Sequence, residues 1–341
     1  MKKEKYNVAM VGATGAVGEA LLAILKERKF PIDQFTPLAS ERSAGEQIEF
    51  GNRSVTVKNL ADFDFAGVDI AFFSAGASVS KAHAPRAAQA GAVVIDNTSE
   101  FRYQDDIPLV VAEVNPDAIA DYKTRGIIAN PNCSTMQMLV ALGPIHRKAG
   151  IERINVATYQ SVSGAGRSGL EELGKQTAAL LNFQNVKPAK FSKQIAFNVI
   201  PHIDSFQPNG YTKEEMKMVW ETRKILGDPA IQVNPTCVRV PVFFGHSEAV
   251  HIETKAKITA PEARALLEEA PGIVVMDSLE AGGYPTPVGD AAGKDPVFVG
   301  RIREDISHPR GLDLWIVADN IRKGAALNAI QVAELLVKSY L

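Results

Sequence analysis

The residue types able to do chemistry converge on Asn130-Pro131-Asn132-Cys133-Ser134-Thr135. Residues 126–129 are short and β-branched, which predicts a strand, and Pro131 biases Asn130 away from the α region. From Ser134 the apolar positions Met136, Leu139, Val140 and Gly143 recur at helical spacing, predicting a helix that runs to about Lys148. Cys133 therefore falls at a helix N-terminus. Unpaired N–H groups and the positive end of the helix dipole favour a thiolate there, the form that attacks carbonyl carbon. Position alone also suits a buried structural thiol, because free cysteine is among the most buried residue types.

A second set of candidates lies downstream. His246 follows Phe243-Phe244-Gly245 at a turn or strand start, and histidine is the usual proton shuttle near neutral pH; a hydrogen-bonded structural histidine is the alternative. In Thr236–Val242, alternation puts Arg239 on the face of Cys237 and Pro241. The odd separation of His246 and His251 sends them to opposite faces of a strand, so they are poor partners for one metal. Gln160 ends a strand over 151–162, before a loop carrying Ser163, Gly164 and Gly166 that could close over a cofactor or substrate. Gln160 could donate to a reacting oxygen, although a strand-end glutamine is ordinarily exposed. Glu214 and Lys217, in a helix over 212–226, share a face at i, i+3 spacing, and the default reading is an exposed ion pair of small worth. Arg102, on a loop beyond a strand, has the fork geometry for phosphate or carboxylate, but most exposed loop arginines are merely solvated.

These groups need a scaffold. Tyr6–Val11 reads as a strand, Gly12-Ala13-Thr14-Gly15-Ala16-Val17-Gly18 as a glycine turn, and the stretch with Leu21, Leu22, Ile24 and Leu25 as an amphipathic helix. The glycines follow GxxGxxG rather than GxGxxG. The physics is shared: a tight turn, close backbone approach to a pyrophosphate, and a helix N-terminus aimed at it. A second strand over 34–38 ends in Ser40-Glu41-Arg42-Ser43, where an acidic residue suits a ribose hydroxyl and Arg42 with Ser43 suits a 2′-phosphate. The flanking hydroxyls favour NADP, with a solvated polar loop as the alternative. Strands over 68–74 and 92–96, with a helix over 78–90 between them, continue an alternation that predicts a parallel sheet. Residues 182–211, with three prolines and Asn209-Gly210, read as an irregular connection with short strand-like pieces, too long for a simple turn and so functional or interface material. Residues 231–258 are strand-rich. A strand over 312–318 precedes Asp319–Gly324, and a long helix over 325–340 is a candidate to pack back onto the first domain.

With 341 residues, 46% hydrophobic and 22% charged, the composition is that of a globular chain of about two domains. A net charge of −2 without a Lys/Arg-rich run leaves no footprint for nucleic acid. No apolar run approaches the about 18 residues of a membrane span, and the start of the chain leads into a strand rather than a signal peptide, so the expectation is cytoplasmic. The two cysteines, Cys133 and Cys237, lie far apart, with no CxxC pair and no HExxH, so neither a disulfide framework nor a metal site is predicted.

Taken together, GATGAVG (12–18), SEFR (99–102), NPNCST (130–135), YQSVSGAG (159–166), RVPVFFGHSE (239–248) and DNIRKGAALNA (319–329) resemble the aspartate-semialdehyde dehydrogenase family, in one order along essentially the whole chain. The resemblance implies an α/β fold: a Rossmann-like NADP-binding domain over 1–131 and 323–341, and an α+β catalytic and dimerisation domain over 132–322. It implies a homodimer that serves lysine, threonine and methionine synthesis by reducing L-aspartyl 4-phosphate. By the motif matches, Cys133 would form the acyl thioester and His246 would handle protons. Asn132 and Gln160 would orient the thiol and the acyl group. Arg239 would clamp the substrate carboxylate, Arg102 and Lys217 would hold phosphate, and Glu214 would complete the substrate site. Gly12, Thr14, Gly15, Ala16, Val17, Arg42, Ser43, Ser163, Gly164 and Asn320 would contact the cofactor. An N-acetyl-glutamyl-phosphate reductase would share domain, thiol and histidine, but the NCST context and the Arg239-to-His246 spacing argue against it. A catalytically silent NADP-binding protein is disfavoured by the intact cysteine, histidine and arginine set.

Overall fold

The computed structural model describes residues 3–51 and 53–341, so the reading of the N-terminus at Met1 and Lys2 lies outside the described residues. The chain forms two compact units, Met1–Pro131 with Ala325–Leu341, and Asn132–Gly324.

The first unit contains β1 (Tyr6–Val11), β2 (Ile32–Ala39), β3 (Gln47–Phe50), β4 (Arg53–Thr56), β5 (Lys58–Asn59), β6 (Ile70–Phe73), β7 (Val93–Asp96) and β8 (Ile127–Ala129). Six of them form a parallel sheet in the order β5-β2-β1-β6-β7-β8, while β3 and β4 make a separate hairpin. β1 and β6 are apolar almost without interruption because both faces of the sheet are covered. α1 (Ala16–Glu27) follows β1 and α2 (Ala77–Gln89) follows β6. The C-terminal helix, Asn328–Ser339, packs Ile330, Val332 and Leu336 into the same core as Met10, Leu21 and Phe72. Strand order reverses between β1 and β6, the place where open α/β sheets bind ligands.

The second unit opens with α3 (Cys133–Ala149), β9 (Ile151–Gln160), α4 (Arg167–Leu181), α5 (Lys213–Leu226), β10 (Gln232–Arg239) and β11 (His246–Thr254). It continues with α6 (Ala260–Glu268), β12 (Ile273–Val275), β13 (Val297–Glu304) and β14 (Gly311–Ala318). The sheet order is β10-β9-β11-β14-β13-β12, with the outer pairs parallel and the inner pairs antiparallel. α3 lies across the centre of the sheet with an unbroken buried run from Ser134 to Ile145, which explains why its sequence is apolar all round. Residues 154, 156, 158 and 160 of β9 point toward this helix layer, whereas Tyr159 points to the opposite face, where its ring lies 5.6 Å from that of Trp315. A hollow of about 400 Å³ on that face is lined by Asn155, His251, Tyr284, Arg303, Asp313 and Trp315 among others. Residues 182–211 form an irregular connection, with the isolated bridges of Ile200 to Arg239 and of Phe206 to Thr212 as its strand-like pieces. Among the described residues no helix is long and apolar enough to cross a membrane.

Gly18 sets how closely α1 approaches the glycine turn. A Cβ there would stand 2.3 Å from the Gly12 carbonyl oxygen and 2.8 Å from Ala13 backbone atoms. Gly18→Ala is expected to lower stability by about 1–3 kcal/mol through this overpacking. Gly174→Ala, in α4 with open space around its Cα, is expected to gain a few tenths of a kcal/mol or more from helix propensity. Urea unfolding of both variants checks the pair, and a Gly18→Ala protein as stable as wild type would contradict the packing argument.

Candidate active site

Cys133 is the first residue of α3. Asn132 takes the N-cap position in an extended conformation, and its Oδ1 accepts from the N–H groups of Ser134 (3.0 Å) and Thr135 (3.2 Å). The cap ends the strand-to-helix passage that Pro131 begins, and it leaves the thiol at the positive end of the dipole. Cys133 is half-buried and makes no disulfide. Gly324 packs directly on it, since a Cβ at 324 would lie 2.7 Å from the Cys133 Cβ.

The Glu214–Lys217 pair is not the exposed pair that helical spacing suggests. Side-chain exposure is 8% at Glu214 and 12% at Lys217. α5 turns this face inward against α3 and β10, so the two charges leave water together. Lys217 Nζ donates to Glu214 Oε2 and to Asp204 Oδ2, both at 2.9 Å. Glu214 Oε1 accepts from Asn132 Nδ2 (2.9 Å) and Gln160 Nε2 (3.1 Å). Burial alone would raise the Glu214 pKa, but the Lys217 charge and the hydrogen bonds from Lys217, Asn132 and Gln160 overcome it and bring it to about 2. The same carboxylate overcomes the burial of Lys217 and holds its ammonium well above the usual range. Gln160 is buried, not exposed as strand ends usually are, and its Oε1 accepts from Thr158 Oγ1 at 3.0 Å.

Arg239 ends β10 and His246 begins β11, both on the helix-facing side of the sheet. Arg239 Nη1 donates to the Ser161 carbonyl at 2.6 Å; among the described residues this is the only acceptor of its guanidinium, leaving most of the fork available. Gly164 lies over both residues: a Cβ there would be 3.0 Å from Arg239 Nη1 and 3.3 Å from His246 Nε2. His246 Nδ1 accepts the Ser161 backbone N–H at 3.0 Å. A backbone N–H can only donate, so neutral His246 carries its proton on Nε2, a buried atom with no hydrogen-bond partner among the described residues. Burial, then the neighbouring Arg239 charge, lowers the His246 pKa to about 3. Ser161 Oγ and Ser163 Oγ reach Asn320 Oδ1 at 3.0 and 3.1 Å, and Gly245 N–H donates to the same oxygen at 3.0 Å. Ser163 and Asn320, read as cofactor contacts, are thus buried and joined in the network around His246. Cys237, on the same strand face as Arg239, is fully buried, with its thiol pKa pushed well up by burial.

In the first unit, Gly12 adopts φ +86°, and a Cβ there would stand 3.0 Å from the Ser74 carbonyl carbon across the strand-order reversal. Thr14, Gly15, Ala16 and Val17 follow, and no side chain caps the start of α1. This uncapped helix end beside a glycine cradle fits a dinucleotide pyrophosphate. Arg42 and Ser43 sit in a single helical turn after β2, with Arg42 exposed. Arg102 is buried rather than solvated, and its Nη2 donates to the Asn97 carbonyl at 2.9 Å. Asn130 is structural: its Nδ2 bonds Asn97 Oδ1 and the Ala325 carbonyl, and its Oδ1 accepts from Asn328. Among the described residues no cluster of His, Cys, Asp or Glu could hold a metal.

Several residues of the site escaped the sequence reading. Glu221 Oε2 accepts the Asn132 N–H at 2.6 Å; its i+7 relation to Glu214 on α5 was a readable signal. Asp204, Ser161 and Gly324 carried no such signal, because each is recruited through an irregular segment.

Comparisons with known proteins agree with this architecture. Residues 7–122 match the semialdehyde dehydrogenase NAD binding domain and residues 142–323 the semialdehyde dehydrogenase dimerisation domain. The chain is 61% identical over 337 residues to aspartate-semialdehyde dehydrogenase 2 of Vibrio cholerae, covering 99% of each chain. A crystal structure of aspartate semialdehyde dehydrogenase II from Vibrio cholerae complexed with ASA superposes with TM-score 0.97 at 60% identity, covering 99% of this chain and 100% of that one. The Candida albicans enzyme with NADP superposes with TM-score 0.76 at 25% identity, covering 97% and 98%. With such identity over its full length, and both halves of the family present in order, the chain belongs to the aspartate-semialdehyde dehydrogenase family.

Proposed function

We propose that the protein catalyses the NADPH-dependent reductive dephosphorylation of L-aspartyl 4-phosphate to L-aspartate 4-semialdehyde through an acyl thioester on Cys133, in lysine, threonine and methionine synthesis. One observation carries this reading: the unpartnered Nε2 of His246 and the open fork of Arg239 meet under Gly164, in the unit whose α3 begins at the thiol.

In this mechanism the Cys133 thiolate attacks the acyl carbon, an S–C bond forms, and the C–O bond to phosphate breaks with its electron pair leaving on phosphate. Arg239 grips the substrate carboxylate through its free donors. Lys217 offers its ammonium to the phosphate, with Arg102 proposed as a further phosphate contact. The neutral His246 donates from Nε2 to the acyl oxygen as negative charge develops there. Gln160 keeps one N–H on Glu214 and has a second to give to the same acyl group. When bound, NADPH supplies the hydride. Cys133 then leaves as thiolate as the aldehyde forms, a step its helix-end position favours.

For the cofactor, Gly12 to Val17 are proposed to hold the pyrophosphate, and Arg42 with Ser43 the 2′-phosphate. Ser163, Gly164 and Asn320 are proposed as further cofactor contacts. The two units would be the NADP-binding and catalytic domains. The matched dimerisation domain, together with Tyr159 and Trp315 exposed or half-exposed on the open sheet face, supports a homodimer. A cytoplasmic location suits an enzyme that draws on NADPH and an acyl phosphate.

The test of activity is NADP reduction by the purified protein with L-aspartate 4-semialdehyde, with and without phosphate, and with NAD in parallel. Phosphate-dependent signal, larger with NADP, is expected; signal indifferent to phosphate would sink the acyl-phosphate reaction. Cys133→Ala is expected to abolish turnover while NADP binding survives. His246→Asn is expected to lower kcat about 10²–10³-fold, the usual loss for one oxyanion donor. Arg239→Lys should mainly raise the substrate KM, because the planar fork is lost. Steady-state kinetics sort these, and a wild-type kcat for His246→Asn would return that residue to a structural role.

The pKa shifts also predict acid behaviour. Glu214 is depressed from 4.5 to about 2 in the folded state, so its contribution to stability is complete above pH 4.5 and is lost as pH falls toward 2. His246, depressed from 6.5 to about 3, adds a loss that begins below pH 6.5. Urea unfolding of the wild type should therefore show stability falling from pH 7 to pH 3.5. Glu214→Gln should be less stable at pH 7 and fall by less over that range. An equal fall in both proteins would contradict the Glu214 assignment.

A further inference from the structure

The ammonium of Lys217 stands between two carboxylates, Glu214 Oε2 and Asp204 Oδ2, each at 2.9 Å. The two partners are held unequally. Glu214 is buried, and its other oxygen takes the amides of Asn132 and Gln160, so its carboxylate cannot turn away from Lys217 without disturbing the start of α3. The Asp204 side chain is 36% exposed; among the described residues Lys217 alone donates to its Oδ2, and the Ser205 N–H alone, at 2.8 Å, to its Oδ1. Burial opposes its ionisation, but the hydrogen bond and charge of Lys217 prevail and hold its pKa below the usual carboxylate range, so it is an anion near neutral pH. Asp204 sits in the left-handed backbone region at φ +69°, and the chain is anchored on either side of it. Ile200 exchanges both backbone hydrogen bonds with Arg239, and the Ser205 carbonyl accepts the Lys213 N–H at 2.7 Å. Residues 201–204 therefore form a short bend, fixed at both ends to the elements that carry Arg239 and Lys217.

We propose that Asp204 is a counter-ion that competes with the substrate phosphate for Lys217: its carboxylate holds the ammonium while no phosphate is bound, turns to water when phosphate arrives, and returns as phosphate leaves. The inference rests on the reading of Lys217 as a phosphate contact and deepens it. With two carboxylates on one ammonium the cluster is negative overall, and an incoming phosphate anion is repelled by it. Asp204 can relieve that repulsion at low cost, because its carboxylate is already partly hydrated, whereas freeing Glu214 would leave a buried charge unpaired. The result is a phosphate site weaker than the lysine and its buried partner would make by themselves. In the reductive direction this eases the departure of phosphate once Cys133 has taken the acyl group. In the oxidative direction it raises the phosphate concentration that the reaction needs.

The experiment compares wild type, Asp204→Asn and Asp204→Gly in the full-length enzyme. Asparagine and glycine both accept the left-handed backbone, so neither variant strains the bend. In the oxidative direction the readouts are kcat and the KM values for phosphate and for L-aspartate 4-semialdehyde; in the reductive direction the readout is the inhibition constant of phosphate against L-aspartyl 4-phosphate. Removing the charge should lower the KM for phosphate and its inhibition constant together, by about three- to tenfold, the order expected for a partly exposed charge beside the binding group. The KM for the semialdehyde, which carries no phosphate, should stay as in wild type. A residue that merely props Lys217 would act with the opposite sign, since a disordered ammonium binds phosphate less well. The proposal is overturned if both phosphate constants are unchanged or raised in the variants, or if they fall only in step with the KM for the semialdehyde. Should one variant fail to fold, the other decides alone. Wild-type enzyme without phosphate-dependent activity would instead count against the proposed function.

Discussion

The carboxylate of Glu214 is the constraint on which the rest of the second unit depends. Burying it is unfavourable by several kcal/mol unless each lone pair finds a donor, and here Lys217, Asn132 and Gln160 supply them. The consequences pass outward from that point. With Nδ2 held by Glu214, the Asn132 amide must turn Oδ1 toward the first turn of α3, which fixes the cap and therefore the position of Cys133. With one N–H on the same carboxylate and Oε1 on Thr158, Gln160 is fixed at the end of β9. Lys217 stays charged although largely buried, and its second bond to Asp204 shows that it can share its ammonium with another anion.

Around this hub the charges are arranged so that the histidine does not need one. Arg239 and Lys217 would bring positive charge to a substrate anionic at both ends, and burial, joined by the Arg239 charge, makes an imidazolium unfavourable at His246. The backbone N–H of Ser161 then settles which nitrogen keeps the proton. An Nε2–H donor suits a reaction in which charge builds on an acyl oxygen and then collapses, because nothing need be removed from the imidazole for the thiolate to leave. Small residues serve the same end: Gly164 lets its loop lie on Arg239 and His246, and Gly324 leaves room for Cys133.

Most of the fold was legible because its signals are local. The glycine turn after β1, the period of α3 and the alternation of β10 and β11 each report on neighbours in sequence, and the motifs along the chain fixed the family. The hairpin of β3 and β4, the short helix α6 and the strands β12 and β13 went unread, although the Thr259–Glu262 capping box was a readable start for α6. The site residues were named from their types, but their burial was not visible. Glu214 and Lys217 have the spacing of any solvated helix pair, and only the packing of α5 against α3 and β10 takes them out of water. Ser161 and Asp204 act through a backbone N–H and an irregular loop, neither of which leaves a mark in side-chain pattern.

The proposed mechanism requires Cys133 to carry the acyl group. Intact-protein and peptide mass spectrometry of the enzyme mixed with L-aspartyl 4-phosphate, in the absence of reduced cofactor, tests this most directly. The prediction is one added aspartyl group per chain, located on the peptide containing Cys133, released by hydroxylamine and absent from Cys133→Ala. An unmodified Cys133 in enzyme that nonetheless turns over with NADPH, or an acyl group on another residue, would contradict the thioester mechanism.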